Sequence, residues 1–188
     1  APWRGTWKGE GGGALFNQGV HYLDLFQWLG GMPESVVGQA GTLMHDIEVE
    51  DSASALVGYA DGAQGYIHCN TVQIPSDTRI ELWGERRGIV MTDDDITVHE
   101  PEVGLREFSK LGRGAFAKPD LSASPLDVPI AKAKHQDTVD DFAQAIAEGR
   151  EPAVPGHEGA KSLELAAAII LSSCRRQTVD LPIDRTAY

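Results

Sequence analysis

Cysteine is nearly absent from this sequence: only Cys69 and Cys174 occur in 188 residues, too few for a disulfide framework or a thiolate zinc site. That scarcity fits a reducing, cytosolic setting. Long apolar runs are also missing, none approaching the ~20 residues that a bilayer crossing needs, and the N-terminus shows no basic-then-apolar leader pattern. A soluble, cytoplasmic protein with no membrane partner is expected. Positive charge is scarce as well, 16 Lys and Arg against 28 Asp and Glu, for a net charge of -12. Such a balance repels phosphate backbones and anionic lipid, so nucleic acid is not an expected partner.

What is present, 41% hydrophobic and 23% charged residues, suits a single globular domain over residues 1–188. The chain opens Ala1-Pro2-Trp3 without an initiator Met, running straight into an aromatic, motif-like segment, and reads as a fragment of something longer. From Gly13 to Leu29 the apolar residues Leu15, Phe16, Val20, Leu23, Phe26 and Leu29 recur at spacings of three and four, the period of a half-buried helix. Gly30-Gly31 stops it and Pro33 blocks re-entry.

Short β-like runs follow: 36–45, 52–60, 63–74, 79–83, 88–92 and 96–99, punctuated by Asp61-Gly62, Pro75-Ser76-Asp77, Gly84 and Asp93-Asp94-Asp95. Connections this short join antiparallel neighbours, because a parallel crossover needs a dozen residues or more. The stretch 112–129 reads as a long surface loop. Two helices, 130–148 and 158–176, and a last short strand, 178–182, complete an α+β order: an open-faced, predominantly antiparallel β-sheet with helices packed on one face.

Gly9-Glu10-Gly11-Gly12-Gly13-Ala14 has the form of a dinucleotide fingerprint, but Pro2 to Lys8 is not the buried strand that such a turn must follow. Gly156-His157-Glu158-Gly159-Ala160-Lys161-Ser162 has the wrong spacing for a phosphate loop. His45-Asp46 with Glu48, Glu50 and Asp51 reads as a solvated acidic link, and Asp93 to Asp95 as a hairpin turn without calcium-loop spacing, so no metal site is expected. The informative segment runs from Trp3 to Asp24. Its triple glycine permits close approach of other backbone or a ligand. Asn17 and His21 stand four apart, which on one helix puts them on one face, with Asp24 near that line.

This segment resembles the signature of the glucose-fructose oxidoreductase, inositol dehydrogenase and rhizopine-catabolism (Gfo/Idh/MocA) family, whose second domain opens with a glycine triplet and a helix of the form G-G-G-x-L-x-D-x-G-x-H-x-x-D. The matching residues are Gly11-Gly12-Gly13, Leu15, Gly19, His21 and Asp24. The resemblance implies the substrate-binding, C-terminal domain of an oxidoreductase that oxidises a hydroxyl of a sugar, sugar derivative or polyol, or runs the reverse reduction. It also implies NAD or NADP held mainly by an N-terminal Rossmann domain absent from this chain, so that the chain alone is expected to be inactive. Gly12 and Gly13 are the only candidate cofactor contacts here.

By the same resemblance His21 faces the substrate as the acid/base, a role suited to a group whose ordinary pKa is ~6.5. The family's aspartate four residues before that histidine is Asn17 here. Asn accepts no proton, so Asn17 is read as a positioning group in the substrate pocket. Trp3, Arg4, Trp7 and Lys8 border the same pocket in this reading: indole faces stack on sugar rings, and Arg4 and Lys8 suit a carboxylate or phosphate. The tryptophans read equally well as packing anchors.

Tyr59, Tyr66 and Trp83 fall in strands whose alternation leaves large side chains on both faces, and an uncovered aromatic face favours association. The family resemblance agrees, and a homodimer or homotetramer through the open sheet is expected. The alternative from another class is a binding or oligomerisation module that keeps the fold without chemistry.

Overall fold

The computed structural model describes residues 2–114, 116–128, 134–184 and 186. The elements in chain order are α1 (Trp7–Glu10), α2 (Ala14–Asn17), α3 (Val20–Gly30), β1 (Ser35–Gly41), β2 (Ser52–Gly58), β3 (Gln64–Asn70), β4 (Arg79–Trp83), β5 (Gly88–Thr92), β6 (Ile96–Pro101), α4 (Leu105–Lys110), β7 (Leu121–Pro125), α5 (His135–Glu148), α6 (Gly156–Arg175) and β8 (Val179–Asp180). The chain divides into two compact units, Ala1–Ile74 with Lys134–Tyr188, and Pro75–Ala133.

The α+β class with open antiparallel sheets is what is found, but the strands do not form one continuous meander. They make two four-stranded sheets, ordered β3-β2-β1-β8 and β4-β5-β6-β7. In the first unit, side chains alternate across the β1-β2-β3 register. Val36, Ala53, Ala55, Val57 and Ile67 point into a core completed by Leu15 and Leu23 from α2 and α3 and by Leu165, Ala166, Ala168 and Ile169 from α6. Burying one such leucine contributes a few kcal/mol, and truncating Leu15, fully buried, to Ala costs about 2–5 kcal/mol.

The opposite face stays open. Val37, Leu56 and Tyr66 lie directly across from one another and are 51%, 62% and 61% exposed. On the covered face α6 comes unusually close to β1: a Cβ on Gly38 would lie 2.5 Å from the Ile169 carbonyl oxygen. Beyond the β8 pairing, Ser172 and Ser173 hydroxyls accept from the Gly38 and Ala40 amides at 2.8 and 2.9 Å. Side chains thus satisfy amides that a neighbouring strand would otherwise pair.

In the second unit, β4 to β6 form a meander and β7 pairs with β6 from Thr97↔Pro125 to Pro101↔Leu121. That strand lies inside the stretch read as a loop, because Ser, Ala and Pro carry no strand signature of their own. Trp83, 60% exposed, leans on Gly88, where a Cβ would meet its ring at 2.2 Å, and on His99, 5.4 Å between ring centroids. Tyr59 departs from the expectation of an exposed aromatic: it packs against the core of the first unit.

The helix expected over 13–29 is broken. Gly19 is buried at its closest approach to β3, where a Cβ would lie 2.8 Å from the Cys69 sulfur. The Gly19 amide folds back on the Ala14 carbonyl at 2.7 Å, ending α2 before α3 begins. The first of the two long C-terminal helices begins at His135, and the remainder of its expected start, 130–133, lies outside the described residues.

Candidate functional site

The segment from Trp3 to Asn17 is built by carboxylates taking up backbone amides. Thr6 caps α1, its hydroxyl accepting from the Gly9 amide at 3.1 Å and donating to the Trp3 carbonyl at 2.8 Å, the usual role of Thr at a helix start. Glu10 reaches back to accept from the Gly5 amide at 2.5 Å, lies 3.7 Å from the Arg4 guanidinium, and accepts from the Asn17 side-chain amide at 2.8 Å. Gly5 sits at φ +73°, with Ile47 so near that a Cβ would meet it at 2.6 Å. Its carbonyl accepts from the Glu48 amide at 2.8 Å, and the Glu48 carboxylate accepts from the Trp7 amide at 3.1 Å.

Glu50 holds the glycine triplet. Its carboxylate accepts from the amides of Gly13 and Leu15 at 2.9 and 3.0 Å, and its carbonyl accepts from Ala14 at 2.9 Å. Gly13 is required because a Cβ there would lie 1.9 Å from the Glu50 carbonyl oxygen, and Gly12 because one would strike the Phe16 ring at 2.2 Å. The Gly13 amide is committed to Glu50 and α2 is a single turn. What Gly12 and Gly13 provide is close backbone approach.

Asp51, the next residue, accepts from the amides of Leu43, Met44 and His45 at 2.7, 2.9 and 2.9 Å. Burial alone would push its carboxyl up, but the amides of His45, Met44 and Leu43 together with the His45 ring outweigh it and hold the pKa at about 2. The acidic stretch is therefore only in part the solvated link its composition suggests: His45, Asp46 and Glu48 are exposed, whereas Glu50 and Asp51 are not. Glu50 and Asp51 are 3% and 1% exposed, and they pin the N-terminal segment and the loop after β1. Among the described residues no group of three His, Cys, Asp or Glu side chains could hold a metal ion.

The candidate substrate-side residues are all solvent-facing, whereas Gly12 and Gly13 are buried. Trp3, Arg4, Trp7, Lys8, Asn17 and His21 are exposed. Glu10 joins Arg4 and Asn17, and Arg4 lies over the Trp3 ring at 5.8 Å, so three of the six form one cluster. Trp7 is tied instead to Glu48 and borders an open cleft of about 130 Å³ with Thr42, Glu48, Glu50, Ser173 and Cys174.

Asn17 ends α2 and His21 lies in the first turn of α3, with Gln18 and Gly19 between them both in the right-handed helical conformation. Asp24 turns along α3 to accept from Gln27 at 3.1 Å. Burial, with the Glu50 charge adding to it, pushes the Cys69 thiol up. Neither Glu10 nor Glu50 has a place in the site as read from the sequence; the amides that Glu50 serves lie 35 and 37 residues away.

An α+β domain with one open sheet face, a carboxylate-pinned N-terminal segment and an exposed histidine opening α3 is the class these features define. Residues 1–90 match the family model of the GFO/IDH/MocA C-terminal domain, the family whose signature the segment from Gly11 to Asp24 resembles. The WlbA dehydrogenase from Chromobacterium violaceum, solved with NADH and UDP-GlcNAcA, is 31% identical, with a TM-score of 0.76 over 98% of this chain and 50% of its own. The WlbA dehydrogenase from Bordetella pertussis, solved with the same two ligands, is 29% identical, with a TM-score of 0.72 over 98% and 49%. Levoglucosan dehydrogenase, 19% identical with a TM-score of 0.71 over 96% and 53%, shares the fold. The chain thus spans about half the length of these structures. No curated protein matches it.

Proposed function

We propose that this domain forms the substrate side of an NAD(P)-dependent dehydrogenase that oxidises a hydroxyl of a sugar or sugar derivative, or runs the reverse reduction. The observation that carries this reading is the 31% identity, over 98% of the chain, to a dehydrogenase solved with NADH and UDP-GlcNAcA. A nicotinamide cofactor supplies hydride exchange at carbon. In this proposal the cofactor is held mainly by residues outside this chain.

On this chain's side, His21 exchanges the hydroxyl proton through a ring nitrogen. It is exposed and has no hydrogen-bond or ion-pair partner among the described residues, which leaves both nitrogens available to a substrate. Arg4 and Lys8 are cations on a chain of net charge -12, placed to meet a phosphate or carboxylate. Trp3 and Trp7, 53% and 45% exposed, offer indole faces to a sugar ring. Asn17 adds a hydrogen bond to the substrate. Two copies associate through the open face of the first sheet, where the row Val37, Leu56 and Tyr66 is apolar.

The test is NADH formation by the intact protein given NAD+ and UDP-GlcNAcA, followed by a panel of nucleotide sugars, free sugars and polyols in both directions. Reduction of NAD+ by a member of the panel is expected, with no turnover by the 188-residue chain alone. Absence of turnover across the panel with both cofactors overturns the proposal.

A further inference from the structure

Asn17 occupies the position where the family signature has aspartate, and its side chain is bonded to a carboxylate, Glu10, at 2.8 Å. An ionised carboxylate only accepts hydrogen bonds, and the sole donor of an Asn side chain is its Nδ2. The contact therefore fixes which way the amide faces, with Nδ2 towards Glu10 and Oδ1 away from it. Glu10 is itself held: its second oxygen takes the Gly5 amide, its side chain is only 14% exposed, and Arg4 lies beside it. Gly5, in turn, is fixed through its carbonyl by the Glu48 amide.

We propose that Glu10 is the positioning residue that sets the polarity of this site, holding Asn17 as an outward hydrogen-bond acceptor and making Asn, not Asp, the residue compatible with position 17. The outward Oδ1 selects a ligand group that donates, a hydroxyl or an amide N–H. An aspartate at position 17 would set two carboxylates within hydrogen-bond distance, and such a pair keeps one proton to higher pH than a lone carboxyl does. The part of this assignment that concerns a ligand rests on the function proposed above; the part that concerns the Glu10 and Asn17 pair does not.

The experiment compares wild type, Asn17→Asp, Glu10→Gln and the double variant. The first readout is chemical unfolding of the chain between about pH 4 and pH 8, which straddles ordinary and raised carboxyl pKa values. In Asn17→Asp one folded-state carboxyl is raised above its unfolded value. Its stabilisation is complete at low pH and is lost as pH rises, so this variant falls progressively below wild type towards neutrality. In the double variant the introduced glutamine amide donates to the introduced aspartate, and that pH-dependent loss disappears. A parallel pH profile for Asn17→Asp, or a loss that Glu10→Gln leaves in place, overturns the assignment.

The second readout is calorimetric binding of UDP-GlcNAcA to the intact protein. Glu10→Gln frees the Asn17 amide to turn and weakens binding about tenfold, the size of one hydrogen bond lost. The double variant, with a carboxylate oxygen facing outward, returns to within about threefold of wild type. Unchanged binding in Glu10→Gln overturns the specificity role. Failure of wild type to bind the probe counts against the substrate reading, and the unfolding profiles then decide the Glu10 assignment alone.

Discussion

The Glu50 carboxylate accepts the amide of Gly13, 37 residues earlier in the chain, at 2.9 Å, while being only 3% exposed. This contact gives the glycine triplet a structural purpose. The chain start before α2 is fastened to the strand-leading acidic segment, and the candidate residues on either side of the triplet inherit their positions from it.

Replacing Glu50 by Ala leaves the buried amides of Gly13 and Leu15 without an acceptor. Charge-assisted bonds to backbone amides are among the stronger ones, so the expected loss is about 2–4 kcal/mol by urea denaturation. Gln, which keeps one acceptor oxygen, should cost less than Ala. A loss below about 0.5 kcal/mol, the range of ordinary surface substitutions, would mean that water serves these amides as well as Glu50 does.

Asp51 gives a pH signature. Its folded-state pKa of about 2 lies below the usual 3.8, so its stabilisation is complete above about pH 4 and is lost as pH falls towards 2. The contribution is on the order of 2 kcal/mol. Asp51→Asn should lower stability at neutral pH and flatten this part of the acid limb. An unchanged slope between pH 4 and pH 2 in the variant would contradict the bonding described.

Self-association is expected through the open face of the first sheet. Leu56→Glu, at a position 62% exposed on β2, places a charge in the middle of the apolar row and should dissociate the assembly with little loss of stability, since nothing is buried there in the single chain. Light scattering checks it. A wild-type mass of 20.2 kDa at tens of micromolar, where interfaces of ordinary size remain associated, is the opposing result.

The sequence carried the local elements well and the long-range ones poorly. The apolar period of α3, the antiparallel runs of β1 to β6 and the helix pair near the C-terminus follow from spacing and turn residues, which act within a few positions. The break at Gly19 did not show, because no residue spacing marks an amide that folds back on the Ala14 carbonyl. The division into two sheets was hidden because Pro75-Ser76-Asp77 gives the same turn signal whether a strand returns to its own sheet or another begins. Glu50 and Asp51 looked solvated, since no local pattern marks a carboxylate whose partners come from elsewhere. At the site, the family signature pointed to His21 and Asn17, while Glu10, the residue that orients Asn17, carried no signal of its own.

The most direct test of the account is steady-state turnover of the intact protein with His21 replaced by Ala, using NAD+ and the substrate identified from the panel. In the proposed role His21 acts on a proton that moves in the transition state, so kcat should fall by about 100- to 10,000-fold while KM changes much less. A variant that turns over within about threefold of wild type, far short of what a general acid/base contributes, would remove His21 from the chemistry and with it the claim that this domain supplies the acid/base of the reaction.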